Sequence, residues 1–326
     1  MRHQPDDLDV RALRSALRGW GIEPERDPAY LPVGFGDHHW HAEDASGAGD
    51  GRWFVTVADL TAKPYCGEGT EAAARGLTAA MDTAAALRAD RGLGFVLAPV
   101  RDRDGRTTVR LGERYALSVF PYEDGESDPD GAPLPPDDRV RALDALAALH
   151  RAEPPPRAPA AGPALSRRGL LEETLADLSG PWDGGPFAEP ARALFAAHAA
   201  SLRHRLDAFD ALAARVAAAG ARPVVTHGEP HSANILRTPG GLRLADWDTV
   251  GLAAPERDLW QVAETPADLA HYAEATGHEP DPAALDLYRT RWDLEDMTEY
   301  LAWFRAPHTR TPDTEAGWEE LTELLG

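Results

Sequence analysis

Val224-Val225-Thr226-His227-Gly228-Glu229-Pro230-His231-Ser232-Ala233-Asn234-Ile235-Leu236, followed by Leu244-Ala245-Asp246-Trp247-Asp248, is an island of strand-like pattern in an otherwise helical half of the chain. Apolar runs at 222–226, 234–236 and 242–245 flank its titratable residues, and Pro239-Gly240-Gly241 supplies a tight turn between short strands. Carboxylates and imidazoles held between apolar strands are costly unless each finds a partner or a cation, so the segment reads as a site. Three chemistries fit it. One is a structural polar cluster satisfied by local hydrogen bonds. Another is a transition-metal centre on His227, Glu229 and His231. The third is an active site for Mg²⁺ and phosphate, in which Asn234 and Asp246 offer hard oxygen ligands and Glu229 a carboxylate beside an attacking hydroxyl.

Outward from this island the pattern divides the chain. Helical spacing is expected over 136–151, 166–178 and 186–219, broken by a proline-rich stretch at 153–163, and again around 288–305. Ahead of these, a helix over 8–20 stops at Gly21, and β-branched and aromatic runs at 32–40 and 52–58 predict a hairpin plus a third strand. An alanine-rich helix follows from about 69 to 90, then short apolar runs at 95–99, 107–111 and 115–122. The Asp-, Pro- and Gly-loaded stretch 123–138 continues neither strand nor helix and reads as a loop after a hinge.

Composition narrows the class. The 326 residues include 33 basic and 54 acidic ones, a net charge of −21 that repels phosphate backbones and anionic lipid, so no nucleic-acid or membrane partner is expected. Hydrophobic residues at 43% and nine Trp suit a globular chain. The beginning lacks a secretory pattern, no apolar run reaches the roughly 18 residues of a membrane span, and the lone Cys66 makes no internal disulfide. A cytoplasmic protein is the expectation. Lys63 is the only lysine, beside thirty-two arginines.

The run His227-Gly228-Glu229-x-His231-x-x-Asn234, with Asp246-Trp247-Asp248 and Pro255-Glu256-Arg257-Asp258-Leu259-Trp260 behind it, resembles the aminoglycoside phosphotransferase family of small-molecule kinases. The resemblance implies an α+β, bilobal, protein-kinase-like fold. A small antiparallel-sheet lobe with one long helix (1–118) would bind nucleotide, a larger mainly helical lobe (119–326) would carry catalysis and substrate, and a hinge would lie near 116–122. It gives Glu229 the role of catalytic base, Asn234 and Asp246 the Mg²⁺, and Asp248 a second ion. His227, Arg257 and Asp258 become supports of the loop. Gly34 and Gly36 would form a flap over the nucleotide, and Ser118 and Phe120 the strand leading to the backbone that receives the base.

Two positions depart from that pattern. Glu229 stands where the family usually has Asp. Thr56 stands where kinase-like folds carry a phosphate-holding lysine, so Lys63, seven residues on, is the candidate for that role, with Glu68 or Glu71 orienting it. Asp293, Asp296 and Glu299 share one helical face and are the candidate acceptor ligands. The expectation is phosphorylation of a small-molecule hydroxyl by ATP or GTP with Mg²⁺, the acceptor being a hydroxylated, cationic compound such as an aminoglycoside. The alternatives are a nucleotide-binding pseudokinase with a regulatory role and the metal-dependent enzyme on His227, Glu229 and His231.

Overall fold

The computed structural model describes residues 1–44, 51–128 and 132–326. Residues 129–131, part of the loop expected over 123–138, lie outside them. The chain divides into two compact units, one of 1–162 with 222–280, the other of 163–221 with 281–326.

In the first unit, helix α1 (Val10–Leu17) precedes strands β1 (Ala29–Leu31), β2 (His38–Glu43) and β3 (Arg52–Asp59), helix α2 (Thr70–Ala89), and strands β4 (Val109–Leu111) and β5 (Tyr115–Pro121). The strands form one antiparallel sheet in the order β1-β2-β3-β5-β4. Because side chains alternate along a strand, one face collects Trp40, Val55, Val57, Leu117 and Val119, all fully buried against Leu13 and Leu17 of α1. The opposite face carries His39, Phe54, Thr56, Ser118 and Phe120, with Thr56 opposite both His39 and Ser118 in register. Helix α2 buries Ala73, Leu77, Ala80, Ala84 and Leu87, the three-and-four spacing of a single stripe.

The apolar run 95–99 makes only a bridge: Val96 pairs with Leu244, with Leu97 N–H to Leu244 O at 2.9 Å and Leu244 N–H to Phe95 O at 2.8 Å. Pro99 has no N–H with which to extend the ladder. The bridge ties the site-bearing island to the sheet portion of the same unit.

Helix α3 (Pro136–Arg151) leads out of the loop. Helices α4 (Arg168–Ala176) and α5 (Ala188–Ala219) belong to the second unit. Back in the first unit come β6 (Val224–Thr226), β7 (Ile235–Thr238), β8 (Gly241–Leu244) and β9 (Gly251–Ala253), then α6 (Glu256–Val262) and α7 (Pro266–Thr276). They make two ribbons, β6 with β9 and β7 with β8, so the segments 227–234 and 245–250 become the loops joining them. The second unit adds α8 (Pro282–Arg305) and α9 (Pro312–Leu325) to α4 and α5 around Phe195, Leu202, Leu294, Leu301, Phe304 and Leu321. No helix of the described residues is long and apolar enough to cross a membrane.

Leu117 sits in the central part of the sheet with no exposed surface. Leu117→Ala is expected to lose about 2–5 kcal/mol by transfer and cavity terms, read from the denaturant midpoint. A loss below about 1 kcal/mol would contradict close packing of that face.

Candidate active site

The loop after β6 is fixed from below by helix α6. Asp258 is fully buried and accepts from His227 N at 2.8 Å, Gly228 N at 2.7 Å and His150 Nε2 at 2.9 Å. His150 on α3 in turn meets the Tyr272 hydroxyl of α7 through Nδ1 at 2.7 Å. Burial opposes the Asp258 charge, but these bonds and the nearby Arg257 hold its carboxyl below the usual range. Arg257 donates to Thr226 Oγ1 and to the Thr249 carbonyl, both at 2.8 Å. Gly228 lies over that guanidinium at φ 103°. A methyl there would stand 2.3 Å from it, so glycine is required.

His227 joins the two loops. Its Nε2–H donates to the Ala245 carbonyl at 2.8 Å, its Nδ1 accepts from Glu229 N at 3.2 Å, and its ring meets Trp247 edge-on at 4.5 Å. Burial pushes the imidazole down to about 4, so it is neutral at physiological pH. With both nitrogens engaged it offers no lone pair to a metal, and no group of three or more His, Cys, Asp or Glu residues among those described could hold one. The expected alternative of a metal centre on His227, Glu229 and His231 is thereby corrected. Asn234 Nδ2 donates to the Glu229 carbonyl at 2.9 Å and lies 3.2 Å from His231 Nε2, while Ala245 N donates to the Asn234 carbonyl at 2.9 Å. Glu229, Asn234 and Asp246 are thus linked through one backbone network.

Asp246 has φ 61°, the single non-glycine residue at positive φ among those described. Such a conformation costs of order 1–3 kcal/mol and persists where the surroundings impose it, a condition that concentrates at functional sites. Asp246 keeps exposed surface. The protein packed around it and the Asp248 and Glu229 charges push its carboxyl well above the usual carboxylate range. A carboxyl crowded by like charge, and an amide whose N–H₂ is spent elsewhere on the segment bonded to Ala245, offer oxygen donors to a hard cation. Mg²⁺ takes one or two protein oxygens and leaves the rest of its shell to phosphates and water, so Asn234 and Asp246 fit it.

Asp248 is committed differently. Its Oδ2 lies 2.5 Å from Lys63 Nζ and accepts from the Tyr65 hydroxyl at 2.6 Å, and Lys63 also donates to that hydroxyl at 2.9 Å. The second carboxylate on Lys63 is Asp37, at 2.9 Å, directly after Gly34-Phe35-Gly36. Those two glycines have φ 70° and 88°, and Phe35 between them is exposed. Lys63 is only 4% exposed. Burial disfavours its ammonium, but Asp248 and Asp37 outweigh that and hold it charged well above the ordinary lysine range. Glu71, expected as a partner, pairs instead with Arg110 at 2.9 Å, and Glu68 is exposed. Thr56, at the expected lysine position, meets His39 Nδ1 at 3.2 Å. Ser118 and Phe120 are buried in β5 on the same sheet face as Thr56.

All these groups belong to the first unit. Asp293, Asp296 and Glu299 lie on α8 of the second, where Asp293 pairs with Arg205 at 2.6 Å and Glu299 with Arg167 at 3.0 Å. Sequence reasoning missed Asp37, Tyr65 and His150. Only Asp37 carried a local signal, its place at the end of the Gly-x-Gly turn.

The profile of the phosphotransferase enzyme family matches residues 40–304. Protein StrN of Streptomyces griseus is 34% identical over 253 residues, 73% of this chain and 74% of that protein. Among solved structures, spectinomycin phosphotransferase in complex with ADP and spectinomycin superposes with a TM-score of 0.68 at 14% identity, over 98% of this chain and 95% of that one. Amicoumacin kinase in complex with AMP-PNP and Ca²⁺ gives 0.57 at 15%, over 98% and 92%. The profile spans most of the chain and the StrN match most of both proteins, so the chain belongs to the aminoglycoside phosphotransferase family and is a small-molecule phosphotransferase of protein-kinase-like fold.

Proposed function

We propose that this enzyme transfers the γ-phosphoryl group of ATP or GTP, with Mg²⁺, to a hydroxyl of a cationic small molecule in the cytoplasm. The observation that carries the reading is the Lys63–Asp248 contact at 2.5 Å, which brings the only lysine of the chain to the Asp246-Trp247-Asp248 turn. Exclusion of arginine there suits a compact ammonium on phosphate oxygens. The ADP and AMP-PNP held by the structural neighbours support nucleotide use.

Glu229 orients the acceptor hydroxyl and takes its proton as the oxygen attacks the γ-phosphorus. A phosphorus–oxygen bond forms, the bond to the β–γ bridging oxygen breaks, and the nucleoside diphosphate departs. Lys63 holds phosphate oxygens, with Asp248 and Tyr65 fixing its position. Gly34 and Gly36 bring backbone close above the triphosphate, and Ser118 and Phe120 set the strand whose continuation receives the base. Asn234 and Asp246 would hold the Mg²⁺, which when bound would neutralise charge on the transferring phosphoryl. His227, Arg257 and Asp258 act on Glu229 through the backbone. The extra methylene of Glu229 relative to Asp is absorbed by this network, since misplacement by about 1 Å costs on the order of a hundredfold in rate.

A nucleotide-consumption screen across aminoglycosides, amino alcohols, cationic peptides and neutral sugars identifies the acceptor, and nucleotide binding without transfer to any of them would mark a pseudokinase. With that acceptor, Glu229→Gln is expected to lose on the order of 10²–10⁴ in kcat while nucleotide affinity stays within about twofold. Undiminished turnover would refute the base. Asp37 occupies the ammonium that the triphosphate needs, so Asp37→Asn is expected to tighten binding of a non-hydrolysable ATP analogue, whereas Lys63→Met weakens it by about tenfold or more, both by calorimetry. Asp296→Asn is expected to raise the acceptor KM and leave the nucleotide KM alone. An unchanged acceptor KM would remove α8 from recognition.

A further inference from the structure

The turn Pro64–Cys66, directly after Lys63, rests on helix α2 at Gly76. A methyl at Gly76 would stand 1.9 Å from the Cys66 carbonyl oxygen and 2.7 Å from its carbon, the tightest approach at any described glycine. Only hydrogen fits, and it points at that oxygen as a Cα–H···O contact. The seat has a second point. A methyl at Gly67 would stand 2.7 Å from the Ala72 carbonyl carbon and 2.8 Å from its Cβ, so the chain leaving the turn also lies against the first turn of α2. From the seated turn, Cys66 N donates to the Lys63 carbonyl at 3.1 Å and Cys66 Sγ reaches the Asp248 carbonyl at 3.7 Å.

Glycine in the middle of a 20-residue alanine-rich helix is unfavourable for the helix itself, so its presence wants a tertiary reason, and the close approach supplies one. The helix has no carboxylate on Lys63, whose ion-pair partners are Asp37 and Asp248, while Glu71 is held by Arg110.

The geometry points to Gly76 as a positioning residue: α2 sets the Lys63 ammonium against Asp248 by backbone contact in place of an ion pair. This rests on the reading of Lys63 as the phosphate ligand. The expected consequence is that nucleotide affinity depends on the size of residue 76 and is indifferent to the acidic residues of the helix.

Cys66 is the only cysteine, so its reaction with an aromatic disulfide reagent reports the seat directly. Burial pushes its thiol pKa up, which keeps the seated thiol slow. In Gly76→Ala the thiol is expected to react several-fold faster, and the Kd for a non-hydrolysable ATP analogue to rise by about tenfold. Glu71→Gln is expected to change neither. A folded Gly76→Ala protein with both readouts unchanged overturns the proposal, as does an equal loss of affinity in Glu71→Gln. If Gly76→Ala does not fold, Ala72→Gly decides. It loosens the seat without adding bulk and is expected to speed the thiol and weaken the analogue, and no change in either overturns the proposal. Lys63→Met is measured in parallel: retained affinity there overturns the phosphate reading, while the thiol rate of Gly76→Ala still decides the seat.

Discussion

Beneath the site loop, the Asp258 carboxylate gathers two consecutive backbone N–H groups and a histidine N–H with no exposed surface of its own. A buried charge is tolerable only when such donors compensate it, and buried amides left unpaired would cost about 1–3 kcal/mol each, so the three bonds stand or fall together. What they determine is the direction in which the chain leaves β6. With His227 and Gly228 pinned, the Glu229 amide falls on His227 Nδ1, and the same ring reaches across to Ala245. The position of Asp246 therefore follows from a carboxylate that is not itself part of the exposed site.

That arrangement also accounts for the strain at Asp246. A left-handed aspartate would relax if its neighbours allowed it, but Ala245 before it is held by His227 and Asn234, and Trp247 after it is buried and bonded to the Leu244 carbonyl. Two fixed neighbours leave the intervening residue no alternative. The result is a carboxyl that feels the Asp248 and Glu229 charges and resists ionisation unless a cation is near it. Lys63 supplies one such cation, and the donor set of Asn234 and Asp246 is suited to a second.

Much of this was legible in the residues from 224 to 260, because there the chemistry is carried by short spacings: five residues from Glu229 to Asn234, and a tight turn between β7 and β8. The sheet and the long helix were legible for the same reason, through β-branched and aromatic runs and an alanine-rich stretch with helical spacing. What local pattern could not reveal was partnership at long range. Asp37 and Asp248 flank Lys63 from 26 residues before it and 185 after it, and nothing in either neighbourhood announces the other. The expected Glu71 partner failed because β4 places Arg110 opposite it. The run 95–99 had the composition of a strand but met only one residue of β8. His150, within an ordinary helical pattern, acquires its meaning only when α6 brings Asp258 to it.

The division of the chain bears on how such an enzyme is organised. The bonds described above that place the Glu229 amide, the Asn234 side chain and the Lys63 ammonium come from 1–162 or 222–280, although 59 residues of the other unit intervene in sequence between them. The intervening segment and the C-terminal helices make their own core of Phe195, Leu202, Leu301 and Phe304, with their own ion pairs. The groups described as holding the loops 227–234 and 245–250 are thus drawn from distant stretches of sequence within one unit. A lost donor at Asp258 would release His227 and Gly228 together, and with the His227 ring the bond that holds the Ala245 carbonyl before Asp246.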